Sequence, residues 1–362
     1  MADHEPETTV KRSTGIAADQ KAGRSATLRF VTATLIDALG SGLWMPFVLL
    51  FLVNAQDMSL TTAGASLSLG ALLGLAAGPL SGSLMDLVGP LRVLISSNLI
   101  RLVAFACYPL VTHAWHVVLV SAVISVGDRL FWTVNAPIVN TLATKRGVER
   151  LLGTQTIGRF VGAGIGAGVT ALIPNLTGPG TYHLLAYLNA ASFGIAAALV
   201  VGLRVPIRHG RHARTGATGW ATVLRDRPYV GLCATNVLFT LASVGKYSIL
   251  PILVLNVLHG PHWVPGVAIG VGTLTLVAVQ YPATRIAGRY GRSVGLLVAA
   301  GVFAVSFAAL ISTTMVPLRV AIVVVIVVCA TFAVAEALFA PLTTAAPAVI
   351  ALRRRLPATV LN

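Results

Sequence analysis

Charge is what this sequence has least of. Asp, Glu, Lys and Arg make up only 10% of its 362 residues, against about 25% in a soluble domain. Hydrophobic residues make up 56%, and the mean hydropathy is +0.84. A fold this apolar could not clothe itself for water, but lipid-facing residues should be apolar. Cysteine is also scarce. Cys107, Cys233 and Cys329 each stand alone in an apolar run, so no metal-like spacing is present. No His-Glu-x-x-His occurs. Gly245-Lys246-Tyr247-Ser248 lacks the earlier glycine of a phosphate loop and sits inside an apolar run. His113, His116, His259 and His262 flank apolar runs, where exposed or interfacial roles are expected. No enzyme activity, no ATP-driven pump, no cofactor and no metal site is therefore expected. The first 27 residues are polar, with no short apolar core and cleavage site, so the first apolar run reads as a true span.

What is present is a series of long apolar runs. A spanning helix needs about 20 such residues. Windows of that length predict ten spans: 28–54, 60–82, 92–112, 115–138, 151–174, 181–203, 229–257, 263–284, 293–313 and 317–342. The runs are too long and too continuously apolar for barrel strands, so the fold class is all-α membrane protein. The implied organisation is a tail over 1–27, a six-helix bundle over 28–203, a basic linker over 204–228, a four-helix bundle over 229–348 and a tail over 349–362.

Basic residues fix an orientation. With the N-terminus in the cytoplasm, 21 of the 26 Lys and Arg residues fall on inside segments or, like Arg29 and Arg92, at the inner end of a span, and Arg319 alone falls at an outer end. The other four, Arg101, Arg129, Arg159 and Lys246, lie deeper within spans. Cytoplasmic loops collect Lys and Arg in this way. The net charge of +15 thus needs no nucleic acid, and the expected partners are the bilayer of the inner membrane and a small molecule. A monomer is expected.

The segment after the second span reads Gly82-Ser83-Leu84-Met85-Asp86-Leu87-Val88-Gly89-Pro90-Leu91-Arg92. The segment after the eighth, Thr284 to Arg292, follows 202 residues later and carries Gly288, Arg289, Gly291 and Arg292. Small residues allow close helix approach, and the charges can clamp helix ends. The first copy resembles the signature Gly-x-Leu-Ala-Asp-Arg-x-Gly-Arg-Lys of the major facilitator superfamily. Gly82, Leu84, Asp86 and Gly89 match, while Leu87, Pro90 and Leu91 depart and Arg92 stands in late for the lost charges. Leu39-Gly40 followed at Pro46 is similar to the first span of drug-efflux members, and Gly158 to Ala167 resembles a worn antiporter motif. The resemblance implies two helical bundles, with Gly82, Asp86, Gly89, Arg92, Arg289, Gly291 and Arg292 as a conformational-switch motif. Members have twelve spans, so the second bundle is expected to lack its last two.

Charges inside spans are costly, roughly 2.5–3.5 kcal/mol each on insertion scales. They are Asp37, Arg101, Asp128, Arg129, Arg159, Lys246 and Glu336. In the family resembled, spans one, four, seven and ten line a central cavity, and Asp37, Asp128, Arg129, Lys246 and Glu336 fall on those spans. The expectation is two ion pairs, Asp37 with Arg129 and Lys246 with Glu336, on a substrate and proton pathway. Trp44 and Trp132 are placed on the same pathway, where they could stack on a flat or cationic ligand, although aromatics at helical spacing are more often packing residues or lipid-interface anchors. Arg101 and Arg159 are expected to reach headgroups or another helix. The resemblance implies a secondary transporter: proton-coupled efflux of a small amphiphilic compound. Uptake or uniport, and a transport-inactive truncated protein, stay open at this point.

Overall fold

The structure is a computed structural model and describes residues 6–142, 148–170, 172–173, 179–203, 227–290 and 292–355. Among these residues the chain is helical, with turns and no strand, as the unbroken apolar runs require. Eleven helices of at least three turns are described: α1 Pro6–Trp44, α2 Leu60–Leu75, α3 Ala77–Val88, α4 Pro90–Ala106, α5 Ala114–Leu142, α6 Val148–Thr170, α7 Pro179–Val200, α8 Arg227–Ile252, α9 Trp263–Tyr290, α10 Arg292–Ser312 and α11 Leu318–Arg355.

Among the described residues, eight helices are long and apolar enough to cross a membrane, or nine if Leu60–Leu75 and Leu80–Val88, bent by 52°, count as one span. Ten spans were expected. The shortfall is α6, which has 23 residues and so about 35 Å of length, but which mixes Thr154, Gln155, Thr156, Arg159 and repeated glycines into its apolar run. Pro79, near the bend, cannot donate to the turn before it. Two ends also differ from the expected spans. α1 begins at Pro6, although its apolar stretch begins only at Ser25, and α11 runs unbroken to Arg355, past its apolar stretch Leu318–Phe339.

One backbone motif occurs twice. A π-helical turn over Phe51–Ala55 ends the first span, and another over Leu253–Val257 follows α8. After each comes a non-glycine residue in the left-handed region, Asp57 at φ 49° and His259 at φ 48°. The amide of Met58 donates to Leu52 O (3.1 Å) and that of Gly260 to Val254 O (2.8 Å). Each feature recurs 202 positions on, the interval that separates the two glycine-rich segments. Only Asn54 and Asn256 are identical between the turns, so backbone geometry keeps a repeat that side chains have largely lost.

The residues group into two compact units. The first comprises Met1–Ser41, Leu52–Gly162 and Pro179–His209, and the second Gly42–Phe51, Ala163–Gly178 and Gly210–Asn362. In the first unit, α2 turns Ala63, Ser66, Gly70 and Gly74 inward against α5. A Cβ on Gly70 or Gly74 would collide with Ser121 or Ser125. Ser125 Oγ crosses this seam to Ala71 O at 3.1 Å. Helices in lipid gain by such close packing, since apolar burial offers little drive there. An aliphatic and aromatic core lies beneath, with Phe30, Leu94, Phe131, Val134 and Ile138 almost sealed. In the second unit, Gly272 lets α9 approach the Cys329 backbone of α11. Phe239, Phe303, Phe307, Phe332 and Phe339 form a run of ring contacts, and Ser306 and Thr331 share a 3.0 Å hydrogen bond.

Candidate functional site

Four buried or half-buried charges form a chain inside the first unit. Arg101 of α4 is 3% exposed, and its Nη1 contacts both Asp37 Oδ2 of α1 (3.5 Å) and Asp128 Oδ1 of α5 (3.4 Å). Arg159 of α6 places its Nη1 3.4 Å from the same Asp37 oxygen. The order is Asp128, Arg101, Asp37, Arg159, with sign alternating at each step. The inner pair is sealed, at 3% and 2% exposure, while Asp128 is 46% and Arg159 26% exposed. The rest of the Arg101 fork is fixed by Asn98 Oδ1 (2.7 Å) and the Ser97 carbonyl (3.3 Å), one turn earlier on its helix.

Aromatic faces hold both arginines. Arg101 lies over Phe193 (4.3 Å) and Phe131 (5.1 Å), and Arg159 lies over Phe131 (5.0 Å) and Trp132 (5.1 Å). A weakly hydrated guanidinium suits such surroundings better than an ammonium. A cavity of about 10 Å³ adjoins Asp37, Thr34 and Asn98, which is room for a single water. The ion contacts, at 3.4–3.5 Å, are longer than the roughly 2.7–2.9 Å of a tight charge-assisted bond. They hold the chain together without locking it.

The second unit carries one ion pair. Lys246 Nζ of α8 donates to Glu336 Oε1 of α11 at 3.0 Å, with side chains 4% and 12% exposed. The ammonium also sits over Tyr247 (4.4 Å) and Phe332 (5.4 Å).

The second expected pair thus forms as expected. The first does not: Asp37 meets Arg101 and Arg159, and Arg129 is exposed. Neighbours on a helix point about 100° apart, and it is Asp128 that faces Arg101. Arg101 and Arg159, expected to reach headgroups or another helix, reach other helices: both contact Asp37 of α1, and Arg101 also contacts Asp128 of α5. Trp132 is 55% exposed and lies on Arg159, whereas Trp44 is 4% exposed and packs on Phe51 at 5.7 Å.

A further buried polar pair joins α5 to α6. Asn135 and Gln155 exchange two amide hydrogen bonds of 3.2 and 2.6 Å. Sequence reasoning missed it, although two amides in apolar spans are themselves the signal.

The glycine-rich segment is helical on both sides of a single break. Gly82 and Asp86 lie on α3, Gly89 alone breaks the helix at φ 87° and ψ 154°, and Arg92 stands exposed in the first turn of α4. Pro90 opens α4, where its missing N–H costs nothing. Asp86 is exposed and has no ion pair among the described residues. Arg289 and Arg292 sit at the facing ends of α9 and α10, but their side chains and Gly291 lie outside the described residues. In the antiporter-like run, Gly162 admits α1, because a Cβ there would strike the Leu35 carbonyl, while Gly158 faces open space. Close packing accounts for the first and nothing in the structure for the second.

Spanning helices with charges concealed among them define a multi-pass membrane protein of the carrier type. The chain belongs to the Major Facilitator Superfamily, whose sequence profile matches residues 30–358. It is a transporter-family member and not an enzyme. Similar solved structures include the nucleoside transporter NupG, at 12% identity and TM-score 0.67, covering 92% of this chain and 84% of that one. A bacterial homologue of the human drug peptide transporters PepT1 and PepT2 aligns at 15% identity and TM-score 0.67, covering 91% and 84%. A bacterial homolog of the human lysosomal transporter Spinster, inward-facing and unoccupied, aligns at 14% and 0.64, covering 91% and 78%. No curated protein matches significantly. At these identities the structural likeness concerns the fold.

Proposed function

We propose that this chain is a proton-coupled carrier that exports a small amphiphilic compound across the inner membrane. The observation that carries the reading is the alternating chain from Asp128 to Arg159, with its sealed centre and accessible ends. Four charges that neutralise one another through single, long contacts can change partners when a proton or a ligand arrives. A carboxylate that loses its cation favours its protonated form, and one that regains it favours ionisation. A conformational change that breaks the Asp128–Arg101 contact therefore takes up a proton, and remaking the contact releases it. Lys246 and Glu336 offer the same exchange in the second unit. The N-terminus and the 204–228 segment, which joins the two bundles, are cytoplasmic, as the basic residues favour. The carrier acts as a monomer.

The test is flux in proteoliposomes of the purified full chain with a panel of amphiphilic compounds, with and without an imposed proton gradient. Substrate movement against the proton gradient, abolished in Asp128→Asn or Glu336→Gln, is expected. Flux that ignores the gradient removes proton coupling, and accumulation in the opposite direction makes the protein an uptake carrier. A cysteine placed within 204–228 should label only from the cytoplasmic side.

A further inference from the structure

We infer that the ligand of the first unit is a small zwitterion with an apolar or aromatic body, its ammonium held by Asp128 and its carboxylate by Arg159. The inference rests on the carrier reading for its biological setting, but its binding test does not.

The two ends of the charge chain differ from its middle in spare capacity. Arg101 and Asp37 each make two ionic contacts and are almost sealed. Asp128 makes one such contact, through Oδ1, with 46% of its side chain accessible. Arg159 makes one, through Nη1, with 26% accessible. An ionised carboxylate accepts at both oxygens, and a guanidinium carries five N–H donors. Each end can therefore take a second partner of opposite sign without leaving its first.

The ends also lie near each other. Contacts of 3.4, 3.5 and 3.4 Å laid end to end bound the distance from Asp128 Oδ1 to Arg159 Nη1. Trp132 stands one helical turn beyond Asp128 on the same face of α5. Its exposed ring carries Arg159 at 5.1 Å. A carboxylate, an aromatic face and a guanidinium thus line one small area.

Charge balance selects among ligands. Asp37 and Asp128 are opposed by Arg101 and Arg159, so the four charges already sum to zero, and Arg129 is exposed and makes no ion pair with them. A net cation would unbalance that sum at a place where desolvation makes uncompensated charge costly. A simple anion would satisfy Arg159 but leave the free oxygen of Asp128 without a donor. A zwitterion serves both ends and leaves the sum unchanged.

The experiment uses the full chain in detergent and three matched probes: phenylalanine, its methyl ester and its N-acetyl derivative. The measurement is thermal stabilisation as a function of probe concentration. Phenylalanine should half-saturate at a concentration at least about tenfold below either derivative, one charge-assisted contact being worth that much or more. Asp128→Asn should bring the N-acetyl compound level with phenylalanine, and Arg159→Gln should do the same for the methyl ester. Asp128→Glu, which retains the charge, should keep the parent's preference and shows that the site survives substitution. Tighter binding of the methyl ester, or no stabilisation by phenylalanine, overturns the inference. If the carrier reading fails instead, the zwitterion still stabilises the protein while the vesicles show no flux.

Discussion

Arg101 and Asp128 are joined at 3.4 Å, yet one side chain is 3% exposed and the other 46%. The contact therefore links the interior of the first unit to an accessible edge. Arg101 passes the constraint inward to Asp37, and Asn98 and two phenylalanine rings fix its geometry. Removing the inner cation should be a structural injury, whereas neutralising the outer carboxylate should be a functional one.

Arg101→Met leaves Asp37 with one cation and Asp128 with no buried partner. Breaking a buried pair from one side typically costs about 3–5 kcal/mol, so the variant should melt well below the parent in detergent. Arg101→Lys keeps the charge but loses the planar fork that reaches Asn98 and Asp37 together, and should fall between the two. Asp128→Asn, at the accessible end, should melt within a degree or two of the parent. Equal losses from Arg101→Met and Asp128→Asn would remove the distinction between sealed and open ends.

The pair Lys246–Glu336 was legible in the sequence because each is a lone charge in an apolar run and the two signs are opposite. The chain in the first unit was legible only as a set of residues. Asp128 and Arg129 are adjacent, and a single sequence does not say which of them faces inward. Arg101 lies 64 positions from Asp37, on a helix the family resemblance did not mark as lining a cavity. The paired π turns were hidden for another reason: their sequences share little beyond Asn54 and Asn256, and the geometry is carried by the backbone. Gly89 was readable throughout, since a glycine before a proline between two apolar runs can hardly be anything but a break.

Lys246→Met should destabilise the second unit more than the double variant Lys246→Met, Glu336→Met. The single change leaves Glu336, at 12% exposure, without the cation it pairs with. The double change replaces a desolvated pair with apolar volume, which is often neutral or stabilising. Thermal melts of the two variants and the parent complete the comparison. A double variant less stable than the single one would mean that the pair acts as more than two mutually neutralised charges.

The amide pair Asn135–Gln155 makes a similar forecast without charge. Asn135→Ala removes both hydrogen bonds and leaves a Gln155 amide that is 3% exposed. A stranded buried amide costs about 1–3 kcal/mol in water-soluble proteins, and hydrogen bonds between membrane helices average nearer 0.6 kcal/mol. A loss of about 1 kcal/mol is expected, recovered in part by Asn135→Leu with Gln155→Leu. The measurement is reversible unfolding in mixed micelles. No loss in Asn135→Ala would mean that another group takes up the Gln155 amide.

Gly82 and Gly89 belong to the same family-like segment, but their physical demands differ. Gly89 holds φ 87° and ψ 154°, a region that is essentially glycine's alone, where another residue costs about 1–3 kcal/mol. Gly82 is helical, and a Cβ there would meet nothing within 4 Å. In the helix interior, alanine gains about 0.5–1 kcal/mol over glycine. Gly89→Ala should therefore lower the melting temperature, while Gly82→Ala should leave it unchanged or raise it. Both variants should be assayed for flux as well. If Gly82→Ala stops transport while the protein remains stable, Gly82 is needed in a second conformation, in which a neighbouring helix approaches it closely. If it transports normally, the small residue at that position answers to no contact, and the switch role rests on Gly89 and the charges beside it.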